Sequence, residues 1–225
     1  MTSQVRRQLE LVCARWAEGL SGIAATEGRI RYMGEELSRL ARETQMFYEI
    51  VCNLVKGDAF PDIRRATMFD NEFLLYADPG RQFSLRLFIW KPDSYTNAHD
   101  HNSWGVIGPI TGELEVINFR RIDDGSEEGV ARLVETERMR LAPGETTFTL
   151  PLNDGIHKVG NGSSKAMISL SAYGRPLPKG YINEYDVASN RVSKVFSPQV
   201  KKRLLAIDAL RDLSGSISDE ALACI

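Results

Sequence analysis

Histidine is scarce in this chain: 225 residues contain three. Cysteine is as sparse, and Cys13, Cys52 and Cys224 are odd in number, widely spaced and form no C-x-x-C pair. That pattern speaks against a disulfide framework and against a cysteine zinc knuckle. No apolar run approaches the roughly 20 residues needed to span a bilayer, and the opening MTSQVRRQLE leads into an amphipathic pattern rather than a signal core. Basic blocks are missing too. With 28 Lys+Arg against 30 Asp+Glu the formal charge is -2, so nucleic acid is not an expected partner. What remains is a globular protein expected in a reducing cytoplasm, as a monomer or small homo-oligomer with no membrane contact. Its length allows a proper core without covalent staples.

What is present begins with a single change of hydrophobic period. Val5, Leu9, Val12 and Trp16 recur at helical spacing behind Thr2 or Ser3 as caps, and Ile30, Met33, Leu37, Leu40, Phe47, Val51 and Leu54 continue the pattern. Gly34 leaves open whether this second stretch is one helix or two. From Phe69 the period falls toward two. Gln82 to Trp90, Glu113 to Arg120, Val130 to Glu135, Glu145 to Leu150 and Ala166 to Tyr173 read as strands, parted by turns such as Asp78-Pro79-Gly80, Asp123-Asp124-Gly125 and Ala142-Pro143-Gly144. Short strands so spaced indicate a sandwich or barrel. Ser197-Pro198 then offers a cap and a first-turn proline for a closing helix through Val200, Leu204, Leu205 and Leu210, and Ser214 to Ile225 reads as a loose tail. The expected organisation is a helical region over 1–56 packed on a barrel over 57–195, with a carboxy-terminal helix and tail over 196–225.

All three histidines fall at ligand spacing. His99 and His101 flank Asp100, and side chains two apart on a strand share a face, so both imidazoles can point one way while Asp100 points the other. His157, from a distant strand, can complete a facial set of three nitrogens that leaves coordination positions open for chemistry.

The segments around these histidines carry a family resemblance. Pro92 to Gly112, PDSYTNAHDHNSWGVIGPITG, and Pro151 to Asn161, PLNDGIHKVGN, resemble the two metal-binding motifs of the cupin superfamily. The resemblance implies a mainly β fold, the cupin double-stranded β-helix or jelly-roll barrel, here with a helical amino-terminal region and a carboxy-terminal helix. Most cupins carry a glutamate four or five residues after the histidine pair, where this chain has Gly105 and Val106. That loss, with His101 followed by Ser103-Trp104-Gly105, is most similar to the thiol dioxygenases, the family of cysteine dioxygenase and the bacterial 3-mercaptopropionate dioxygenases. Leu74 to Pro79, Trp90 and Ser169 to Tyr173 add to the likeness, which runs from about Phe69 to Tyr173. It implies Fe(II) on His99, His101 and His157, and oxidation of a small thiol by O2 to its sulfinate. Three neutral imidazoles would leave the ion its full charge, which favours an anionic thiolate ligand.

Further site residues follow from the same resemblance. Trp90 is expected to face the metal cavity, which would bring Phe88 and Arg86 inward with it. Alternation alone equally allows Leu85, Leu87 and Ile89 to be the buried set and Arg86 to be solvated. Ser169, Ser171 and Tyr173 match a serine, histidine and tyrosine row that ends in a phenol beside the metal. Ser171 replaces the histidine, and a hydroxyl relays a hydrogen bond but is no base near neutral pH. With Gly105 at the nearest matching position, no cysteine–tyrosine crosslink is expected. Leu75 stands where family members place an early arginine for the substrate carboxylate, leaving Arg86, Arg175 and Lys179 as candidates for the substrate's distal group. Two other functions stay open: a metal-dependent cupin oxygenase acting on a non-thiol, and a non-catalytic metal or small-molecule sensor.

Overall fold

Three amphipathic helices lead the chain in the computed structural model, which describes residues 4–214: α1 (Gln4–Ser21), α2 (Thr26–Ala41) and α3 (Thr44–Lys56). Thr2 and Ser3, and the expected tail beyond Ser214, lie outside the described residues. The second apolar stripe is two helices, and the break falls at Arg42–Glu43 rather than at Gly34. Gly34 stays helical, and a Cβ there would sit in ordinary contact with Thr146 Oγ1 at 3.5 Å. α3 ends where Gly57 takes the left-handed conformation, φ 71°.

Twelve strands follow: β1 (Glu72–Ala77), β2 (Phe83–Trp90), β3 (Ser94–Tyr95), β4 (Ala98–His99), β5 (Gly105–Thr111), β6 (Leu114–Arg121), β7 (Leu133–Leu141), β8 (Thr147–Thr149), β9 (His157–Asn161), β10 (Met167–Gly174), β11 (Tyr181–Asp186) and β12 (Arg191–Phe196). They form two antiparallel sheets, ordered β1-β2-β10-β5-β8 and β12-β11-β4-β9-β6-β7, with β3 beside β9. Within them β2-β10-β5-β8 faces β4-β9-β6-β7, which is the strand order of a jelly roll. The fold is thus the mainly β double-stranded β-helix expected, with helices before it and α4 (Pro198–Ser214) after it. Ser197 caps α4, its Oγ accepting from the Val200 amide at 3.4 Å.

The strand expected at Val130 begins later and runs to Leu141, because β7 is a mostly exposed edge strand whose charged residues carry no burial period. β5 is not among the strand ranges read from the sequence, and neither are β1, β9, β11 and β12. Gly105, Gly108 and Pro109 are poor strand formers, yet they lie in a strand buried along nearly its whole length. A Cβ on Gly108 would strike the Glu145 carbonyl oxygen, so only glycine lets these segments approach.

The helices cover the outer face of the first sheet. Trp16, Met33, Leu37 and Phe47 pack there with Leu85, Leu87, Val106, Leu170 and Ala172. The inner face carries Phe88, Trp90 and Ile107 into the barrel, against Leu114, Val116, Val159 and Met167. β2 is therefore buried on both faces. Each fully buried aliphatic or aromatic side chain contributes about 1.5–3 kcal/mol, so the helical layer is a substantial part of what holds this sheet. Among the described residues, no helix is long and apolar enough to cross a membrane.

Candidate metal centre

The ladder between β4 and β9 pairs His99 directly with His157, each at the end of its strand. His101, two residues on, returns its side chain to the same side. The three rings lie with centroids 4.8, 4.9 and 5.0 Å apart, and one nitrogen from each falls within 4.8 Å of the others. His101 Nε2 and His157 Nε2 are 2.9 Å apart. Two nitrogens bound at a right angle, each about 2.1 Å from one ion, would be separated by about 3 Å. His99 Nδ1 lies 2.9 Å from the Asn97 carbonyl oxygen; donating there leaves Nε2 free to ligate. His157 Nδ1 is buried without a hydrogen-bond partner among the described residues.

Burial lowers the pKa of His99, and lowers those of His101 and His157 well below the usual imidazole value, with the neighbouring rings pushing the same way on the last two. The histidines are therefore neutral donors at neutral pH. Three imidazoles without a carboxylate suit Fe, Cu, Zn or Ni, and the donor set fits a metal of that group. Gly105 and Val106 offer the site no carboxylate. A Cβ on Gly105 would lie 2.8 Å from Tyr173 Cδ1 and Cε1, and Val106 points to the outer core.

The row from β10 lines the same space. The Tyr173 ring stacks on His101, centroids 5.0 Å apart at 27°. Burial pushes its phenol up to about 12, outweighing an opposing hydrogen bond from Ser171, so the hydroxyl keeps its proton. Ser169 Oγ accepts from Trp90 Nε1 at 2.8 Å, and Trp90 stacks on Phe88 at 5.8 Å. Trp90, Phe88 and Arg86 thus all face inward, and the aliphatic set faces the helices.

Two cavities meet at the histidines. The deep one, about 20 Å³, is lined by His99 and His157 with Phe69, Phe88, Trp90 and Tyr173. The outer one, about 160 Å³, is lined by His101 and Tyr173 with Glu72, Ser84, Arg86 and Asn102. Arg86 sits over the Tyr173 ring, 5.6 Å from its centroid, and is bonded to Glu72. Glu72 is buried, and its other oxygen accepts from the Met68 and Phe69 amides at 2.9 and 3.2 Å. The guanidinium reaches the cavity, but its charge is already matched.

Arg175 is exposed and lines neither cavity, while Lys179 turns to Asp100 at 3.3 Å. The expectation attached to Leu75 is corrected by register. Leu75 lies at the bulge between Leu74 and Tyr76 and packs into the outer core, and it is Leu74 that pairs with Arg86. An arginine at 75 would be aimed away from the metal site. Glu72, Phe69 and Asn102 were not singled out in the sequence. A lone glutamate opening an apolar strand was the available signal for Glu72, since a buried charge needs a partner.

No family model matches the chain. Among solved structures it is similar to the Cupin 2 domain of an XRE family transcriptional regulator from Enterobacter cloacae, at 22% identity over 47% of this chain and 96% of that one, TM-score 0.33. It is also similar to a Cupin 2 conserved barrel domain protein from Salinispora arenicola, at 16% identity over 50% and 83% of the two chains, TM-score 0.35. A cupin sugar phosphate isomerase from Silicibacter pomeroyi is 15% identical over 57% and 78%, TM-score 0.36.

Proposed function

We propose that this chain is a non-heme Fe(II) thiol dioxygenase, converting a small thiol and O2 to a sulfinate in the cytoplasm. The observation that carries the proposal is the all-imidazole site beside a protonated phenol, with no carboxylate at Gly105. Iron(II) in that site would supply adjacent open positions at which a thiolate and dioxygen can react, both oxygen atoms passing to sulfur.

The chain's own residues divide the remaining work. His99, His101 and His157, held neutral by burial, keep their lone pairs for the ion. The Tyr173 phenol, on a ring stacked against His101, is a donor able to hold developing negative charge and to keep its proton while doing so. Phe88, Trp90 and Phe69 keep the deep cavity small and mostly apolar. Arg86 faces the substrate's distal group in the outer cavity, neutralised by Glu72. That neutralisation favours a thiol whose far end is uncharged or zwitterionic over one that is simply acidic.

Ser171 keeps a second function in view, a cupin oxygenase acting on a non-thiol chelating substrate, because the base that the resemblance would place there is missing. Oxygen uptake by the iron-loaded protein across a panel of small neutral, acidic and zwitterionic thiols separates the two. Thiol-dependent uptake with a sulfinate product supports the proposal, and uptake with no thiol on the panel would overturn it.

A further inference from the structure

The segment that bears two of the ligands alternates between two tasks. His99 and His101 face the cavity, while Asp100 and Asn102 face residues 177–183. Asp100 is fully buried. Its Oδ1 accepts from the Asn183 amide at 2.7 Å, and its Oδ2 accepts from Asn183 Nδ2 at 2.6 Å and from Lys179 Nζ at 3.3 Å. The Asp100 amide in turn donates to the Asn183 carbonyl at 3.0 Å. Asn102 Nδ2 donates to the carbonyls of Lys179 and Tyr181 at 2.8 and 3.0 Å, and the Asn102 carbonyl accepts from the Leu177 amide at 2.7 Å. Those two carbonyls fix which end of the amide is nitrogen, and Oδ1 is left buried with no partner among the described residues.

A buried carboxylate with one amine and two amide partners is expensive to assemble and strongly orienting once assembled. Neither side chain touches an imidazole in this network. What they hold is the backbone that aims the imidazoles.

We propose that Asp100 and Asn102 are positioning residues of the metal centre. They lock the ligand-bearing segment to 177–183, so that His99 and His101 converge with His157 before a metal arrives. This rests on the metal-binding part of the function proposed above and not on its thiol chemistry.

The test is an anaerobic titration of the metal-free full chain with iron(II) against a competing chelator. A parallel titration uses cobalt(II), read by its visible absorption. Asn102→Ala and Asp100→Asn should each weaken iron affinity about 10–100-fold and alter the cobalt spectrum. Asp100→Asn keeps an oxygen for the Asn183 amide, so it should retain more affinity than Asp100→Ala. Lys179→Met loosens the network from its rim and serves where an Asp100 variant does not fold. Wild-type affinity and an unchanged cobalt spectrum in the folded variants would overturn the inference, and a wild type that takes up no metal would overturn it together with the proposed function. The titration needs no thiol. A wild type that binds iron yet oxidises no thiol would remove the functional proposal alone, with the variants' affinities still deciding this one.

Discussion

On the deep side of the histidines the walls are Trp90, Ile107, Leu114 and Val159, whereas the outer side offers Glu72, Arg86, Asn102 and Ser103. Phe69, Phe88 and Tyr173 belong to both. The deep space, about 20 Å³, suits nothing larger than a diatomic or a single water, and its mostly apolar wall is broken by the hydroxyls of Thr96, Ser169 and Ser171. The outer space is eight times larger, 160 against 20 Å³, and carries an ion pair. One metal site thus borders a compartment that selects by size and another that selects by polarity. β2 and β10 build both, by presenting Trp90, Phe88 and Arg86, and Ser169, Ser171 and Tyr173, in paired register.

The histidines are shared by the two sides, so their removal should have the largest effect. His157→Ala leaves two imidazoles and no substitute in the chain, and bound iron should fall from one per protein to near zero; metal analysis showing full occupancy would break the comparison at its root. On the outer side, Arg86→Leu strands the Glu72 carboxylate, which is 4% exposed. Denaturant unfolding should show a loss of about 3–5 kcal/mol. Adding Glu72→Gln to the same variant should recover much of that loss, and no recovery would mean that Arg86 acts by packing.

Protonation probes the shared centre by a different route. Burial lowers the folded pKa of His99, His101 and His157 from 6.5, so below that pH the unfolded chain takes up protons that the folded one refuses. Stability of the metal-free protein should be fully present above pH 6.5. It should decline as pH falls, by about 1.4 kcal/mol per unit for each histidine that stays neutral in the fold. A melting temperature flat between pH 7.5 and 5.5 would show that the rings are not desolvated.

Tyr173→Phe asks whether the one hydroxyl-bearing residue common to both sides contributes chemistry or only a wall. Iron content and folding should persist while turnover falls by about 1.5–3 kcal/mol of transition-state stabilisation. Steady-state kinetics with an unchanged rate would make the ring a spacer.

Much of this was legible in the sequence because strand geometry is periodic. The pair His99 and His101, and the triplet Ser169, Ser171 and Tyr173, share faces for that reason alone, the turns at Asp78 and Asp123 locate hairpins, and the turn at Ala142 marks the crossing from one sheet to the other. β2 shows the limit. Its two faces are both buried, one by the barrel and one by helices that lie far off in sequence, so alternation could not say which side held Arg86. β5 was hidden because glycines needed for close packing look the same as glycines needed for turns. Register hid part of the site. The bulge at Leu75 turns that residue to the outer core, and the pairing of Arg86 with Glu72 depends on contacts across β1 and β2 that no local pattern encodes.

The account's central claim, that three imidazoles and a phenol support insertion of dioxygen into a thiol, is tested most directly by isotope labelling. The iron-loaded protein would be supplied with ¹⁸O2 and a small thiol, and the sulfinate weighed by mass spectrometry. The account predicts that both sulfinate oxygens carry the label. A product that is disulfide, or a sulfinate whose oxygens come from water, would contradict it.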